Sequence, residues 1–375
     1  MITQTQLSAI LGVHQSTISG VLNDRPKVRA SPETRRRILE AAEKYGYKPS
    51  LHARTLRQGR SGLVGVLNFV GIGATSAEKQ MRTVQALQES GFRPVVNEVF
   101  DVSHAVESLE LLMELKVEGL VLKSVPHSIA GRLWEVVRKE SFPVVAMDGA
   151  SLPGLPWIHA KKHLGMRELT LYLIEQGYRR LALLPRSGEE DAAMPPNIYS
   201  HPNELIRGFQ MAVEASADRL EEVEVIRRVL PKVGAPYEQA FHHGRILTEQ
   251  LIAERKTLPQ VLLCNDDDWA LGAMSACFEA GLRVPGDVAI TGFDNTRAGQ
   301  FSPIPLTTVS QPADAMATKA VEVLRKLIGE GRKPTRRSIA VDGCEVVARK
   351  STAAMGQVDV GKIEIDQAPG ATRSP

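Results

Sequence analysis

Three short stretches near the start of the chain carry apolar residues at the three- and four-residue spacing of an α-helix. This spacing predicts a first helix over Gln4–Leu11 and, after a glycine turn, a second helix over Gln15–Leu22. A third helix begins at Ser31, where serine, proline and glutamate supply an N-cap and a favourable first turn, and it ends before Gly46. Two short helices joined by a glycine turn and closed by a third indicate an all-α helix-turn-helix head over residues 1–47.

The polar face of the second helix is a candidate surface for contacting DNA. Gln15, Ser16 and Gly20 lie on the face that points away from the apolar residues Ile18 and Val21. In the major groove, amide and hydroxyl side chains form hydrogen bonds with base edges. The alternative is an ordinary three-helix scaffold whose polar faces are simply solvated.

A basic segment at residues 48–60 follows the head and is predicted to form a short hinge helix. A helix of about seven residues is marginal in water, so we expect this segment to fold only on binding. Leu56, placed between Arg54 and Arg57, suits insertion into the minor groove beside phosphate contacts. The alternative is a basic linker without a structure of its own.

From residue 62 onward, apolar runs typical of strands alternate with amphipathic helical patterns as far as about residue 292. This alternation predicts an α/β body of two lobes, each a doubly wound parallel sheet. Ligands of such sheets bind beyond the carboxyl ends of the strands, which here places a ligand between the lobes. The predicted division is an N-lobe of about 61–157 plus 309–338 and a C-lobe of about 158–308 plus 339–352. Residues 353–375 have no apolar period and are expected to form a disordered tail.

The composition is that of a folded protein with a basic head. The chain has 375 residues, of which 43% are apolar and 24% charged, and its formal net charge is +3. These values exclude a mainly disordered protein, and the length fits two or three domains. Residues 1–60 hold eleven Lys and Arg but only four Asp and Glu, whereas the rest of the chain is mildly acidic. This asymmetry indicates nucleic acid as a partner more than a membrane surface.

The chain shows no pattern for a membrane, a secretion leader or a disulfide framework. No stretch reaches the ~18–20 apolar residues of a membrane span, and the first residues are not a basic-then-apolar leader. We therefore expect a cytoplasmic protein with no membrane partner. The three cysteines have no metal-ligand spacing, so neither a disulfide framework nor a zinc site is expected.

No motif for catalysis or cofactor binding is found along the chain. Gly71 and Gly73 follow a strand pattern but lack the third glycine and the phosphate lysine of a nucleotide fingerprint. The consecutive carboxylates of Asp266, Asp267 and Asp268 point in different directions, so helix capping by Asp266 or Asp267 is favoured over a metal or general-acid site. No Ser/His/Asp set or nucleophile elbow is present. We therefore expect neither an enzyme nor a bound cofactor.

Several stretches of the chain carry a recognisable family pattern. In the head and hinge they are residues 7–23 (LSAILGVHQSTISGVLN), 31–35 (SPETR) and 47–66 (YKPSLHARTLRQGRSGLVGV). In the body they are residues 264–266 (CND), 292–294 (GFD) and 306–312 (LTTVSQP). Together they resemble the lactose/galactose repressor (LacI/GalR) family, and the resemblance covers about residues 3–352. It implies that the two-lobed body is of the type I periplasmic-binding-protein-like kind.

The resemblance implies a bacterial, sequence-specific repressor that binds a palindromic operator in double-stranded DNA as a homodimer. Base contacts in the major groove would come from Gln15, Ser16 and Gly20. Phosphate contacts would come from Thr17, Ser19 and Asn23. Minor-groove contacts of the hinge helix would come from Ala53 and Leu56. The chain departs from the family at Gly20, where arginine or another side chain is usual, and in a two-residue insertion, Arg29-Ala30.

The resemblance also implies a small-molecule effector, bound between the lobes, that controls a carbohydrate-related operon. Effector contacts would come from Lys123, Asp148, Asn265, Asp294, Thr75 and Leu205. Thr75 belongs to a stretch that replaces an aromatic pair of many relatives, and Leu205 replaces an arginine. Lys161 and Lys162 replace an acid and an amide. The loss of aromatic and arginine contacts together with the gain of lysines suggests an anionic sugar.

Three alternatives stay open at this point. Lys161 and Lys162 can lie on a solvated helix entrance with Lys123 turned away, because lysine is mostly a surface residue. The cleft can also have lost effector binding, which would leave a constitutive regulator. The third alternative is a transport-type sugar-binding protein or a sugar-processing enzyme that shares the body fold, and the helix-turn-helix head argues against it.

Replacing Leu56 by alanine tests the hinge. Leu56→Ala should leave the fold intact but weaken specific operator binding by more than about tenfold, because unstacking a base step takes a few kcal/mol. Gel-shift titration and a DNA-bending assay measure the effect. Unchanged operator affinity and bending would contradict the wedge assignment.

Overall fold

The computed structural model describes residues 2–22, 28, 30–47, 60–69, 74–140, 142–186, 200–231, 233, 238–330 and 337–352. Three predicted DNA contacts, Asn23, Ala53 and Leu56, lie outside these residues, as do the hinge helix and the tail. Only the backbone of Thr75 is described, so its effector contact stays a prediction.

The head consists of three helices, as the apolar spacing predicts. They are α1 (Gln4–Leu11), α2 (Gln15–Leu22) and α3 (Pro32–Lys44). A capping box between Thr3 and Gln6 begins α1, and Gly12 ends it with a φ of 64°, a conformation that favours glycine. Ser31 caps α3, as expected. The buried core of the head is formed by Leu7, Ile18, Val21, Ile38, Ala41 and Ala42.

Gly20 is buried, which corrects its predicted role in base contact. A Cβ atom built on Gly20 would overlap the side chain of Val28. Val28 in turn packs against the apolar core of the head. The glycine therefore permits close packing of the segment before α3 and does not present an open position to DNA. Ser19 beside it is also buried, so its side chain is not displayed for a phosphate contact in this structure.

The N-lobe is built on one parallel sheet. Its strands are β1 (Leu63–Phe69), β2 (Arg93–Val99), β3 (Gly119–Val125), β4 (Val144–Gly149), β5 (Pro156–Ala160) and β11 (Arg337–Val341). They lie in the order β11-β5-β4-β3-β1-β2, and each neighbouring pair is parallel. The helices of this lobe are α4 (Ala74–Glu89), α5 (Ala105–Glu114), α6 (His127–Glu140) and α12 (Ala313–Glu330). Apolar residues on both faces of the sheet are buried in two clusters, which is why the strands read as nearly continuous apolar runs.

The C-lobe repeats this architecture around a smaller parallel sheet. Its strands are β6 (Arg180–Leu184), β7 (Glu222–Val225), β8 (Val261–Cys264) and β9 (Ala289–Thr291), in the order β7-β6-β8-β9. Its helices are α7 (Lys162–Glu175), α8 (His201–Ala215), α9 (Gln239–Glu254), α10 (Asp267–Glu279) and α11 (Arg297–Gln300). A separate antiparallel pair, β10 (Thr308–Ser310) and β12 (Glu345–Val347), packs beside α7.

The chain passes between the lobes three times, after β5, after β10 and after β11. Because β5 and β11 pair with each other, the N-lobe extends to Ala160 and Val341, a few residues beyond the predicted limits. The apolar pattern missed β5, β10, β11 and β12, since these strands are short and flank the crossings. The edge strand β7 has no buried residue, so its apolar pattern is weak. No helix in the described ranges is long and apolar enough to cross a membrane.

A double-mutant cycle tests the packing of Gly20 against Val28. Gly20→Ala should lower the free energy of unfolding of the head by about 1–3 kcal/mol, because the added methyl group overpacks the contact. In a Val28→Ala background, the same change should stabilise by up to about 1 kcal/mol, because alanine is the better helix former. Thermal and denaturant unfolding measure both values, and Ser16→Ala, an exposed position of α2, is the control. The same effect of Gly20→Ala in both backgrounds would contradict the contact.

Candidate functional site

Gln15 and Ser16 lie exposed at the start of α2, as expected for residues that contact bases. Nε2 of Gln15 donates a hydrogen bond to the Thr5 hydroxyl at 3.0 Å, and the Ser16 hydroxyl lies 2.7 Å from Nδ1 of His14. Such exposed hydrogen bonds contribute little net free energy, so they exchange readily for partners on DNA. The head therefore presents an amide and a hydroxyl side by side at the N-terminus of its second helix, the part of a helix-turn-helix that contacts base edges.

Asp148 is the centre of a buried group of charges, which we call the junction cluster (Lys79, Lys123, Asp148, Lys162, Asp294 and Gln311). Asp148 is the last residue but one of β4, and its Oδ2 accepts a hydrogen bond from Nζ of Lys79 on α4 at 2.6 Å. Lys79 also donates to Oε1 of Gln311 at 2.9 Å, and Nε2 of Gln311 donates to Oδ1 of Asp294. These contacts join the N-lobe to Asp294 of the C-lobe. Two predicted effector contacts, Asp148 and Asp294, are thus linked through two residues that the sequence did not single out.

Lys162 approaches Asp148 from the C-lobe, as the first residue of α7. Its Nζ lies 3.6 Å from Oδ1 of Asp148, and this oxygen accepts no hydrogen bond from the described residues. Burial favours the neutral acid, but the ammonium groups of Lys79 and Lys162 outweigh it and hold the pKa of Asp148 well below its usual range. Asp148 is therefore an ionised group that links the two lobes.

Lys123 is the least exposed lysine of the cluster, at 1%. Its Nζ donates to the Ser76 carbonyl at 3.0 Å and, at 3.4 Å, to Oδ1 of Asn68, but it forms no ion pair with a described carboxylate. Burial lowers the pKa of Lys123 to about 7. Lys161, by contrast, pairs with exposed Asp342 at 2.7 Å. Of the three lysines that the sequence singled out, the structure therefore brings Lys123 and Lys162, and not Lys161, into the cluster.

The remaining two predicted effector residues have structural partners. Oδ1 of Asn265 accepts the backbone N–H of Arg186 at 3.0 Å, and its Nδ2 donates to Asp266 at 2.9 Å, so its amide shapes the loops at the end of β8. Leu205 is fully buried in the C-lobe core beside Phe209. Because this side chain packs among apolar residues, its predicted effector contact has no polar group behind it and stays a prediction.

Asp267 is a buried carboxyl group whose importance the sequence did not reveal. Its Oδ2 accepts the backbone N–H of Thr296, and its Oδ1 accepts the Thr308 hydroxyl, both at 2.5 Å. Burial raises the pKa of Asp267 to about 8, so the group is mostly protonated at neutral pH. The cap of α10 is its neighbour Asp266, which accepts the N–H of Trp269 at 2.8 Å. Through these two hydrogen bonds, Asp267 connects Thr296, in the segment after Asp294, with Thr308 of β10.

The junction cluster is suited to holding a polar ligand. Ammonium groups bind anions, and an ionised carboxylate accepts hydrogen bonds from hydroxyl groups. Within the residues that the structure describes, no group of three or more His, Cys, Asp or Glu is placed to hold a metal ion.

The raised pKa of Asp267 predicts a dependence of stability on pH. Between an unfolded-state pKa of about 4 and the folded-state pKa of about 8, the folded protein keeps a proton that the unfolded chain releases. The contribution of this group is therefore fully present at low pH and is lost as the pH rises to about 8. Relative to Asp267→Asn, the wild-type free energy of unfolding should fall over this range in denaturant titrations. Asp314→Asn, at an exposed position, should follow the wild-type profile, and parallel profiles for all three proteins would refute the assignment.

Comparison with known proteins gives relatives that match nearly the whole chain. The model of the periplasmic binding protein-like domain family matches residues 170–352. An uncharacterized HTH-type transcriptional regulator from the aml 5′ region of Streptomyces limosus is 30% identical, with 92% of this chain and 93% of the relative covered. MalR, an HTH-type transcriptional regulator of Streptomyces coelicolor, is 29% identical, and the match covers 92% of this chain and 95% of MalR. PurR, an HTH-type transcriptional repressor of Pasteurella multocida, is 29% identical, and the match covers 94% of this chain and 98% of PurR.

Solved structures share the fold over the same length. The Lac repressor dimer bound to operator and the anti-inducer ONPF matches with a TM-score of 0.75 at 22% identity, covering 94% of this chain and 99% of that chain. The complex of the transcriptional regulator CelR with cellobiose matches with a TM-score of 0.60 at 22% identity. This match covers 94% of this chain and 100% of the CelR chain. The full-length relatives, the three-helix head and the two-lobed body agree with one another. The chain belongs to the LacI/GalR family of helix-turn-helix transcriptional regulators.

Proposed function

We propose that this protein is a cytoplasmic repressor of a carbohydrate-related operon, bound to a palindromic operator as a homodimer and controlled by a small-molecule effector between its lobes. The observation that carries the proposal is the exposed pair Gln15 and Ser16 at the start of α2, in a head that is basic overall. The basic charge favours the DNA backbone, and the two polar side chains supply sequence discrimination. The relative PurR is a transcriptional repressor, which supports repression as the direction of control.

Exposed apolar side chains at one edge of the N-lobe support a homodimer. β2 is an edge strand of the N-lobe sheet. Val96 on β2, Phe100 directly after it and Met81 on α4 are all exposed, Phe100 by 71%. Exposed apolar side chains of this size are typical of interfaces, and a second copy would cover them. A two-fold pair of heads contacts a palindrome, because each head meets the same half-site sequence.

The junction cluster supports an effector that carries both hydroxyl groups and a negative charge. CelR, which shares the fold, is described as a complex with cellobiose, which supports a carbohydrate as the general class. Lys123 and Lys162 are buried, and two buried ammonium groups favour a ligand that carries a negative charge. We therefore propose an anionic sugar. Oδ1 of Asp148 is buried and accepts no hydrogen bond from the described residues, which favours a ligand hydroxyl over a cleft without an effector.

Control of DNA binding would follow from the way the lobes are connected. Three crossings join the lobes, and polar contacts bridge them at Asp148, Lys162, Gln311 and Asp294. A ligand that contacts both lobes changes the relative stability of their orientations. In a dimer, the orientation of the lobes sets the spacing of the two hinge segments and so the fit of the heads to the operator.

Operator binding by a Gln15 variant tests the proposed function. A good base contact is worth about 1–3 kcal/mol, so Gln15→Ala should weaken operator binding by about 5- to 150-fold and relax the preference at one base pair of each half-site. The operator is first identified by genome-wide mapping of bound DNA, and affinities are then measured by fluorescence anisotropy. Gln88→Ala, an exposed glutamine of α4 in the body, is the matched control and should bind as the wild type does.

Two results would contradict the proposal. If genome-wide mapping finds no enriched, two-fold symmetric motif, the proposal that the protein binds a palindromic operator is contradicted. If Gln15→Ala binds the same motif with the same affinity as the wild type, the base contact assigned to Gln15 is contradicted. The proposal of a DNA-binding regulator would still stand.

A further inference from the structure

One side of α2 combines two exposed polar residues with a notch at Gly20. Gln15 and Ser16 are exposed at the start of the helix. Gly20 follows Ser16 by four residues, so the two lie on the same side of the helix about one turn apart. Because glycine has no side chain, α2 itself offers no group at this position that could contact a base.

Val28, from the segment before α3, occupies this notch. Its Cγ2 methyl group overlaps the position that a Cβ atom on Gly20 would take, and its Cγ1 lies 3.1 Å from that position. The backbone around Val28 is held in place, since its carbonyl accepts the N–H of Ala30 at 3.1 Å and Ser31 then caps α3. A side chain from another segment therefore lies where a side chain at position 20 would begin.

Val28 is only partly buried, which distinguishes it from the residues at the centre of the head. It packs against the apolar core but keeps part of its surface in contact with solvent, whereas Leu7, Ile18 and Ile38 are fully buried. The head thus presents an apolar group about one helical turn from Ser16. Removing such a group from water is favourable when it packs against another apolar group. In the major groove, the C5-methyl group of thymine is the group of this kind.

We propose that Val28 is a specificity-determining residue, which recognises the C5-methyl group of a thymine at the base pair that Gly20 leaves uncontacted. This inference rests on the proposed function, because it takes the exposed side of α2 as the surface that contacts bases. Gln15 and Ser16 supply hydrogen bonds there, and Val28 supplies an apolar contact beside them. An adenine–thymine pair is thereby preferred over a guanine–cytosine pair, whose major-groove edge carries no methyl group.

Replacing thymine by deoxyuridine tests this contact, because it removes the C5-methyl group and keeps every base-pairing group. The operator is selected from a library of random duplexes with the full-length protein, and each of its thymines is then replaced in turn. Fluorescence anisotropy should show one thymine in each half-site whose replacement weakens binding by about fourfold, as expected for the burial of one methyl group. Since one helical turn spans about 5.4 Å, this thymine should lie within about two base pairs of the pair at which Ser16→Ala relaxes the preference.

Val28→Ala assigns the thymine effect to this side chain. The variant should bind the unmodified operator about fourfold more weakly for each half-site, and replacing the thymine should then cause no further loss. Leu39→Ala, at an exposed apolar residue of α3, is the control and should retain the full effect of the replacement. Thermal unfolding checks that each variant is folded. If Val28→Ala is unfolded, the distance between the methyl-sensitive thymine and the Ser16 pair decides in the wild-type protein.

The outcomes distinguish this inference from the function on which it rests. A thymine effect that persists unchanged in Val28→Ala overturns the role of Val28, and so does the absence of a methyl-sensitive thymine near the Ser16 pair. In both cases the operator and the proposed repressor function still stand. A selection that returns no enriched motif contradicts the proposed function itself, and the inference with it.

Discussion

The ion pair between Lys79 and Asp148, buried and 2.6 Å long, is the interaction on which the lobe junction depends. Charges persist in a protein interior only when they are paired and hydrogen-bonded, because desolvation is expensive. Lys79 neutralises Asp148 at the end of β4 and uses a second donor to hold Gln311, which in turn holds Asp294. One pair thereby positions the carboxyl end of the first sheet and a loop of the second lobe. Loss of Lys79 would leave Asp148 with Lys162, 3.6 Å away, as its nearest cation and would remove the donor to Gln311.

The contacts that join the lobes differ in kind from those that hold each lobe together. Each lobe has its own large apolar clusters around its own sheet. The junction cluster, by contrast, consists of ammonium, carboxylate and amide groups. Polar partners are exchanged at little net cost when a ligand offers equivalent ones, whereas opening an apolar core is costly. The lobes can therefore change their relation to each other while their cores stay intact, as an effector-controlled regulator requires.

The sequence predicted the elements well and the neighbours of single residues less well. The helical period of the head and the strand–helix alternation of the body are strong, repeated signals, and α1 and α2 occur where they were expected. A helical pattern tells which face a residue occupies but not what packs there. Gly20 was therefore placed on an open face, although Val28 of the following segment covers it. Leu205 was assigned to the cleft by analogy, although the apolar side of α8 buries it.

The charged site was only partly predictable, for a physical reason. Lys79 looks like any solvated helix lysine, since burial of a charge depends on partners that are distant in sequence, here Asp148 and Gln311. The run of aspartates indicated a cap, which Asp266 provides, but did not show that Asp267 is protonated beneath the next loop.

The residues that set the chemistry of the junction lie at the ends of strands and at the starts of helices. Lys123 lies near the end of β3, Asp148 at the end of β4, Lys162 at the start of α7 and Asp294 after β9. Side chains at these ends take little part in the apolar clusters behind them, so they can differ between proteins that share the fold. A shared fold therefore predicts where an effector binds, whereas its charge must be argued from these few side chains. In this chain, the buried lysines Lys123 and Lys162 beside the ionised Asp148 make that argument.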